Sequence, residues 1–184
     1  MTKLPILESY WVEENRFLAG EYPGGFDPDT TRHRLDAFLE AGVNIFIDLT
    51  QLNELKPYEN MLKEQGGIYD VNAMYHHLPI RDRTTPPAEM MTAILNTIDE
   101  AIDNGGCVYV HCWGGVGRTG MVVGCYLVRH GNTNQQALAQ VNELYKTRPK
   151  NPYLLRSPET DEQVEFILNW WDEPRRNNPR VCEG

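Results

Sequence analysis

Apolar positions along this chain follow two periods, one typical of buried β-strands and one typical of amphipathic helices. Short β-branched and aromatic runs occur at 45–47 and 107–110. Between them, apolar residues at helical spacing predict a helix over 88–102, with a buried stripe that consists of Met90, Met91, Ile94, Leu95 and Ile98. Strands that alternate with helices predict an α/β fold, in which one central sheet carries helices on both faces.

The same pattern predicts the other elements and one compact domain. Further strands are expected at 10–12, 17–19 and 74–78, and the strand that contains the run 45–47 is expected to span 43–48. Further helices are expected at 30–41, 58–64, 118–128, 133–144 and 157–171. Thr133 is the expected N-cap of its helix. A length of 184 residues with 41% hydrophobic content supplies one core rather than two large ones. We therefore predict a single domain over residues 1–171 and a disordered tail over 172–184, which is rich in Pro, Asn and Arg.

A cysteine, a glycine-rich turn and an arginine lie between a predicted strand and a predicted helix. The segment 111–120 reads His-Cys-Trp-Gly-Gly-Val-Gly-Arg-Thr-Gly. Its glycines permit a tight curl whose N–H groups converge on an anion, and the following helix start adds further unpaired N–H groups. Cys112 lies at the focus of these donors, so its thiolate should be favoured over its thiol. The predicted phosphate-binding loop consists of Trp113, Gly114, Gly115, Val116, Gly117 and Arg118.

Two side chains after the glycines complete the predicted chemistry. The planar guanidinium of Arg118 can bind two phosphate oxygens at once, which a lysine cannot do. The hydroxyl of Thr119 is placed to donate a hydrogen bond to the sulfur of Cys112, which would help the sulfur leave when a phospho-cysteine intermediate is hydrolysed.

The segment His-Cys-x-x-Gly-x-Gly-Arg-Thr-Gly resembles the signature of the cysteine-dependent protein tyrosine and dual-specificity phosphatases. Every defining position matches, and a buried cysteine beside a structural turn would not call for the arginine and the threonine. The resemblance implies a phosphotyrosine phosphatase-like fold and hydrolysis through a phospho-cysteine. It also implies that His111 orients the loop and tunes the thiolate. No cofactor is expected, and no metal, because the spacing of His and Cys residues matches no zinc pattern.

Enzymes of this kind need a second group that protonates the leaving oxygen. Asp82 is the candidate, since its distance before Cys112 and the proline at 86 are similar to the acid loop of the family. Ile80 and Arg81 stand where phosphotyrosine-specific members have Trp-Pro, and the loop resembles the shorter loops of dual-specificity members. The alternative is a solvated aspartate between two arginines. Asp48 is the next candidate for the acid, although it is better explained as a turn or cap residue.

Three further features leave alternatives open. Gln163 matches the second glutamine of the late Gln-Thr-x-x-Gln segment of the family, whereas Glu159 replaces the first, which positions water in phosphotyrosine-specific members. Cys107 either traps Cys112 in a reversible disulfide or points elsewhere. A basic set either rims a phosphate pocket or forms solvated helix ends, and it consists of Lys146, Arg148, Lys150 and Arg156.

Charge and hydropathy limit the classes of molecule that this protein is expected to bind. With 26 acidic and 17 basic residues and a net charge of −9, the surface repels nucleic acid and anionic lipid. No signal peptide is visible, and the longest apolar run, 121–128, is too short to span a bilayer. We expect a cytoplasmic monomer that acts on a phosphorylated protein or peptide, with no nucleic-acid or membrane partner.

The predicted function is a protein phosphatase that hydrolyses phosphotyrosine, with phosphoserine and phosphothreonine as further substrates. Phosphoinositide or inositol-phosphate hydrolysis is the alternative within the enzyme class, and RNA 5′-triphosphate hydrolysis also stays open, because one fold and one loop serve all of these substrates. A non-catalytic phosphate-binding module is the alternative outside it. Inactive relatives have usually lost the cysteine or the arginine, and this chain has both.

Overall fold

The computed structural model describes residues 3–149, 153 and 155–171. The predicted tail, 172–184, and Lys150 lie outside the described residues. The strands are β1 Ser9–Glu13, β2 Phe17–Gly20, β3 Ile45–Asp48, β4 Met74–His77 and β5 Val108–His111. The helices are α1 Pro28–Glu40, α2 Glu59–Ile68, α3 Ala88–Asp103, α4 Gly117–Arg129, α5 Asn134–Lys146 and α6 Asp161–Leu168. Within these residues, no helix is long and apolar enough to cross a membrane.

The five strands form one mixed sheet in the order β1-β2-β5-β3-β4. β1 pairs antiparallel with β2, and the other neighbours pair in parallel. β5 is the central strand, and its last residue, His111, is in register with Gly20 of β2 and Asp48 of β3. The residues that follow β5 therefore emerge at the carboxyl edge of the sheet, where α/β folds bind their ligands.

Helices cover both faces of the sheet, as predicted. On one face α1 and α2 bury Leu35, Phe38 and Leu62 against Phe46 and Tyr109. On the other face the core combines the remaining helices with the opposite side of the strands, and it includes Met91, Ile94, Leu95, Val108, Val110, Met121, Val122 and Ile167. The alternation of side chains along β5, with Tyr109 on one face and Val110 on the other, is what a strand buried on both faces requires.

Capping residues set the starts of the last two helices. Thr133 accepts a hydrogen bond from the backbone of Gln136, which confirms the predicted N-cap of α5. The prediction of a helix over 157–171 is wrong at both ends, because Thr160 caps the helix in the same way and the helical residues are Asp161–Leu168. The segment before Thr160 is consequently free to pack against the cysteine loop.

Candidate active site

The loop between β5 and α4 presents its amides inward. Its carbonyls at 113, 114, 115 and 116 accept hydrogen bonds from outside the loop. The donors are, in that order, Tyr22 N at 2.8 Å, Arg148 Nη2 at 3.1 Å, Arg148 Nη1 at 2.9 Å and Ser157 Oγ at 2.7 Å. N–H and C=O point in opposite directions in a trans peptide, so the N–H groups of 114–117 face the centre of the loop. Cys112, 3% exposed, lies at the start of this concavity.

Gly115 is the glycine that the curl requires. Its φ is +65°, and a Cβ atom there would lie 2.2 Å from the carbonyl carbon of Gly20, so any side chain would meet backbone. Gly114 and Gly117 do not have positive φ. A Cβ atom on Gly117 would lie 2.8 Å from Gln163 Oε1, whereas one on Gly114 would make only an ordinary contact at 3.7 Å. The prediction that the glycines avoid Cβ clashes is therefore confirmed for Gly115 and Gly117 and not for Gly114.

Arg118 is the most tightly held side chain of the site. It is 1% exposed, and its guanidinium forms a bidentate pair with Glu54 at 2.6 and 2.8 Å. Nη1 also donates to the carbonyls of Leu49 at 3.3 Å and Ile80 at 3.2 Å. Its buried Nε–H has no hydrogen-bond partner among the described residues. A phosphate oxygen could occupy that donor without disturbing the pair with Glu54.

Glu54 is a site residue that the sequence analysis missed. It lies in the polar loop after β3. Its position in the sequence could have made it a candidate, because loops after parallel strands meet at the same edge of a sheet. Burial by itself raises the pKa of Glu54. Hydrogen bonds from Arg118 and from the backbone of Gln51 outweigh this effect, so the pKa of Glu54 is lowered overall. Glu54 therefore stays ionised and fixes the plane of the Arg118 guanidinium.

Asp82, the candidate acid, lies beside Arg118. Its Oδ1 is 2.9 Å from Arg118 Nη2, and its side chain is 51% exposed. The backbone turns sharply here, since Arg83 has a φ of +59° and the backbone N and side chain of Thr84 donate back to the carbonyl of Arg81. This turn brings the carboxylate of a solvent-facing loop to the edge of the phosphate-binding concavity.

Three contacts tie the Asp82 loop to the start of α6. Arg83 pairs with Glu159 at 2.8 Å, and Thr85 donates to Glu162 at 3.1 Å. Gln163, which is fully buried, donates from Nε2 to the carbonyl of residue 84 at 3.3 Å. Glu159, which replaces the glutamine of phosphotyrosine-specific members, is thus paired with an arginine of the Asp82 loop.

The predicted hydrogen bond from Thr119 to Cys112 is not formed. Thr119 is fully buried in the first turn of α4, and its Oγ1 has no hydrogen-bond partner within the described part of the chain. A buried hydroxyl without a hydrogen-bond partner is costly. A hydrogen bond from Thr119 to the sulfur of Cys112 during the reaction stays a prediction.

His111 anchors the loop from beneath the sheet edge. It is fully buried, with Nδ1 3.1 Å from the carbonyl of Cys112 and Nε2 2.7 Å from the hydroxyl of Tyr58. The carbonyl can only accept, so Nδ1 carries the proton and Nε2 accepts from Tyr58. Burial lowers the pKa of His111, although the charge of Asp48 acts in the opposite direction. The neutral imidazole therefore positions Cys112 through its backbone.

The free energy of unfolding should depend on pH through His111. The unfolded chain takes up a proton near the ordinary pKa of 6.5, whereas burial opposes that proton in the folded protein. The folded state then binds fewer protons, so this contribution to stability is complete above pH 6.5 and is lost as the pH falls below it. Denaturant titrations of wild type and His111→Gln should therefore converge as the pH drops from about 7.5 to about 5.5.

The difference between the two proteins reports the imidazole, because His111 is the only titratable group that the substitution removes. A difference that stays constant across this pH range would show that His111 does not resist protonation in the fold.

Asp48 has the structural role that the sequence favours for it. Its Oδ1 accepts from the backbone and hydroxyl of Thr50 at 2.8 and 2.7 Å, and its Oδ2 accepts from Tyr75 at 2.8 Å. Oδ1 therefore closes the turn after β3, and Oδ2 links this turn to β4. The carboxylate at the site edge is that of Asp82.

A disulfide between Cys107 and Cys112 is excluded by the geometry of β5. The two residues flank the strand, and five extended residues span roughly 16 Å, whereas a disulfide needs Cα atoms within about 7 Å. They also belong to the cores on opposite faces of the sheet. Burial raises the pKa of Cys107 to about 11, so its thiol is unreactive.

The basic set of the α5–α6 connection does not form one phosphate rim. Lys146 pairs with Glu143 at 2.7 Å on the surface, and Arg156 pairs with Asp161. Arg148 instead contacts the outer side of the cysteine loop. The described members therefore have separate partners, and the helix-end alternative is correct for Lys146.

A family model described as "Polymorphic toxin system, DSP-PTPase phosphatase" (Tc-R-P) matches residues 23–132. The match covers more than half of the 184 residues and includes Asp82 and the whole of 111–120. It also extends the resemblance towards the N-terminus, well before the loop of Asp82, which is the first segment with family features named in the sequence analysis above.

Curated relatives with phosphatase names include two CDC14 proteins. Mouse "Dual specificity protein phosphatase CDC14B" is 34% identical over 128 residues, 65% of this chain and 24% of the relative. Candida albicans "Tyrosine-protein phosphatase CDC14" is 29% identical over 108 residues, 57% of this chain and 18% of the relative. The chain thus spans about a quarter or less of the length of these relatives.

Solved structures share the fold. Tk-PTP in its active form has a TM-score of 0.68 and 26% identity, over 88% of this chain and 93% of that chain. PTPMT1 in complex with PI(5)P has a TM-score of 0.64 and 18% identity, over 88% of this chain and 92% of that chain. The second likeness concerns the fold alone.

The family match, the shared sheet and the cysteine and arginine at the end of β5 agree with one another. The chain therefore belongs to the DSP-PTPase phosphatases, which are cysteine-dependent, dual-specificity-like hydrolases of the protein tyrosine phosphatase superfamily.

Proposed function

We propose that this protein hydrolyses phosphate monoesters on phosphorylated proteins, phosphotyrosine above all, by double displacement at Cys112. One observation carries the proposal: Cys112, the inward amides of 114–117, the unpaired Nε–H of Arg118 and the carboxylate of Asp82 meet at the carboxyl edge of β5. A nucleophile, an anion cradle and a proton donor are the three parts that the reaction needs.

In the first step the sulfur of Cys112 attacks phosphorus, and the bond from phosphorus to the leaving oxygen breaks. Asp82 gives its proton to that oxygen as it departs. In the second step water attacks the phospho-cysteine, the carboxylate of Asp82 accepts a proton from the water, and the P–S bond breaks. Inorganic phosphate and the thiolate result, and the acid regains its proton in the same step.

The contact between Asp82 and Arg118 suits this sequence of events. At 2.9 Å the carboxylate occupies one donor of the Arg118 guanidinium. A phosphate that binds Arg118 competes with the carboxyl group of Asp82 for this donor. Substrate binding thereby frees the carboxyl group of Asp82 for the leaving oxygen.

The loop side chains favour a substrate with one phosphate. Trp113 is 62% exposed and Val116 is buried, so neither adds a cation between Cys112 and Arg118. Arg83, the arginine that follows the acid, is paired with Glu159. An exposed aromatic side chain and the lack of a cation between Cys112 and Arg118 suit an aryl phosphate better than a multiply phosphorylated ring, and Arg81 is the cation beside the site that acts against this preference.

The names of the two relatives support activity on proteins, and the likeness to PTPMT1 reaches the fold only. A non-catalytic binding module is disfavoured because both Cys112 and Arg118 are present. The free thiol of Cys112 is compatible with a reducing compartment such as the cytoplasm.

The proposal predicts a substrate ranking. Phosphotyrosine peptides should have the highest kcat/KM, phosphoserine and phosphothreonine peptides a lower one, and polyphosphoinositides the lowest. Each extra ring phosphate without a charged hydrogen-bond partner forgoes about 1.5–3 kcal/mol of binding, on the order of ten- to a hundredfold in kcat/KM.

The measurement compares kcat/KM for a phosphotyrosine peptide with that for a soluble phosphatidylinositol trisphosphate, with phosphate release as the common readout. A clear preference for the lipid would contradict the protein-phosphatase assignment. Failure to hydrolyse any monoester, combined with tight binding of phosphopeptide, would favour the binding module instead.

A further inference from the structure

We propose that Arg148 is a positioning residue that holds the two central peptide units of the phosphate loop, so that the N–H groups of Gly115 and Val116 face the substrate. The proposal deepens the function proposed above and rests on it. One guanidinium bridges two successive loop carbonyls, with Nη2 3.1 Å from the oxygen of Gly114 and Nη1 2.9 Å from the oxygen of Gly115.

Among the described residues, Arg148 is the only hydrogen-bond donor to the carbonyls of the two bridged peptide units. The units before and after them are fixed from outside, by Tyr22 at the carbonyl of 113 and by Ser157 at the carbonyl of 116. The two central units adjoin Gly115, which has no side chain to restrict rotation. Rotation of either unit would turn an inward N–H outward and present a carbonyl oxygen to the phosphate. The bonds from Arg148 oppose that rotation.

The fork of an arginine is required for this role. Two carbonyls of consecutive residues need two donors in a fixed plane, whereas a lysine ammonium is a point charge that flexes on its stem. Arg148 lies directly after α5, and its guanidinium is 5.3 Å from the ring centre of Tyr145, which helps to set its plane.

The same hydrogen bonds also strengthen the loop amides as donors to the substrate. A cation that binds a carbonyl polarises the peptide, and the N–H at the other end of that peptide becomes a stronger donor. Arg148 therefore strengthens two of the amides that bind phosphate while its own charge stays outside the pocket. Arg118 binds the phosphate directly, and Arg148 acts through the backbone.

The test measures binding of tungstate, an inorganic oxyanion, to the full chain. Arg148→Lys keeps the charge and loses the fork, and Arg156→Lys on the same connection is the matched control. We expect the Kd for tungstate to rise about tenfold in Arg148→Lys and to stay within about twofold in Arg156→Lys. The ¹⁵N–¹H signals of Gly115 and Val116 should respond less to tungstate in Arg148→Lys, while Tm in the absence of tungstate stays near wild type.

Unchanged affinity and unchanged amide responses in Arg148→Lys would overturn the proposal, because charge without the fork would then suffice. A lowered Tm with normal affinity would also overturn it, since the role would be structural. If the lysine variant fails to fold, Arg148→Gln is measured in the same way and judged by the same criteria. A wild-type protein that binds tungstate but hydrolyses no phosphopeptide contradicts the proposed function alone.

Discussion

Replacement of Cys112 by serine should reduce hydrolysis of p-nitrophenyl phosphate to background while the affinity for tungstate stays near wild type. A serine hydroxyl is not ionised at neutral pH, so the nucleophile is lost. The inward amides and Arg118 remain, because the backbone of the loop is held by partners that do not involve the thiol. Steady-state kinetics and a tungstate titration on the same preparation provide the two readouts.

Cys107→Ser is the matched control, since this thiol is also buried but lies at the other end of β5. It should lower Tm, because a hydroxyl replaces a thiol in an apolar core, and leave kcat unchanged. Turnover by Cys112→Ser near the wild-type rate would refute the thiolate mechanism. Loss of both turnover and tungstate binding would show instead that the thiol supports the loop.

The parts of the fold that sequence could predict are those with local signals. The strand before Cys112 and the helix after it are adjacent in sequence, and glycines mark the turn between them. Thr133 is followed three residues later by Gln136, which completes the capping box of α5. For α6 the same signal was present in Thr160 and Gln163. The predicted helix was too long because its start was placed at 157, three residues before this cap, and its end at 171.

The parts that sequence could not predict depend on contacts between distant segments. Glu54 is 64 positions from Arg118, and Arg148 is 33 positions from Gly115. Neither lies in a motif, and each acquires its partner only when the sheet brings β3 and the α5–α6 connection to the end of β5. The strand order, with β5 between β2 and β3, was equally invisible to periodicity, which reports burial and not neighbours.

The cysteine pair illustrates how strand geometry settles an alternative that spacing left open. In sequence, Cys107 and Cys112 are close enough to suggest exchange. The extended strand between them places the two cysteines far apart, in the cores on opposite faces of the sheet. Their proximity in sequence is therefore misleading. Oxidative regulation of Cys112 would need a different partner from Cys107.

Asp82→Asn should reduce kcat on a phosphotyrosine peptide by on the order of 10²–10⁴ and reduce kcat on p-nitrophenyl phosphate far less. Tyrosine is a poor leaving group and needs a proton as it departs, whereas p-nitrophenol departs without one. Asparagine retains the shape and a hydrogen-bond acceptor for Arg118 and removes the proton. The measurement is kcat on both substrates across pH, and the fall in rate towards alkaline pH that accompanies loss of the acid proton should disappear in the variant.

Asp48→Asn is the control that separates the proton donor from the turn residue. Its carboxylate closes the turn at Thr50 and accepts from Tyr75, so this variant should lose stability, with the ratio of the two substrates and the alkaline limb unchanged. The opposite pattern would reassign the acid. An equal, small loss on both substrates for Asp82→Asn, with a leaving-group-dependent loss for Asp48→Asn, would make Asp48 the proton donor and leave Asp82 as a surface partner of Arg118.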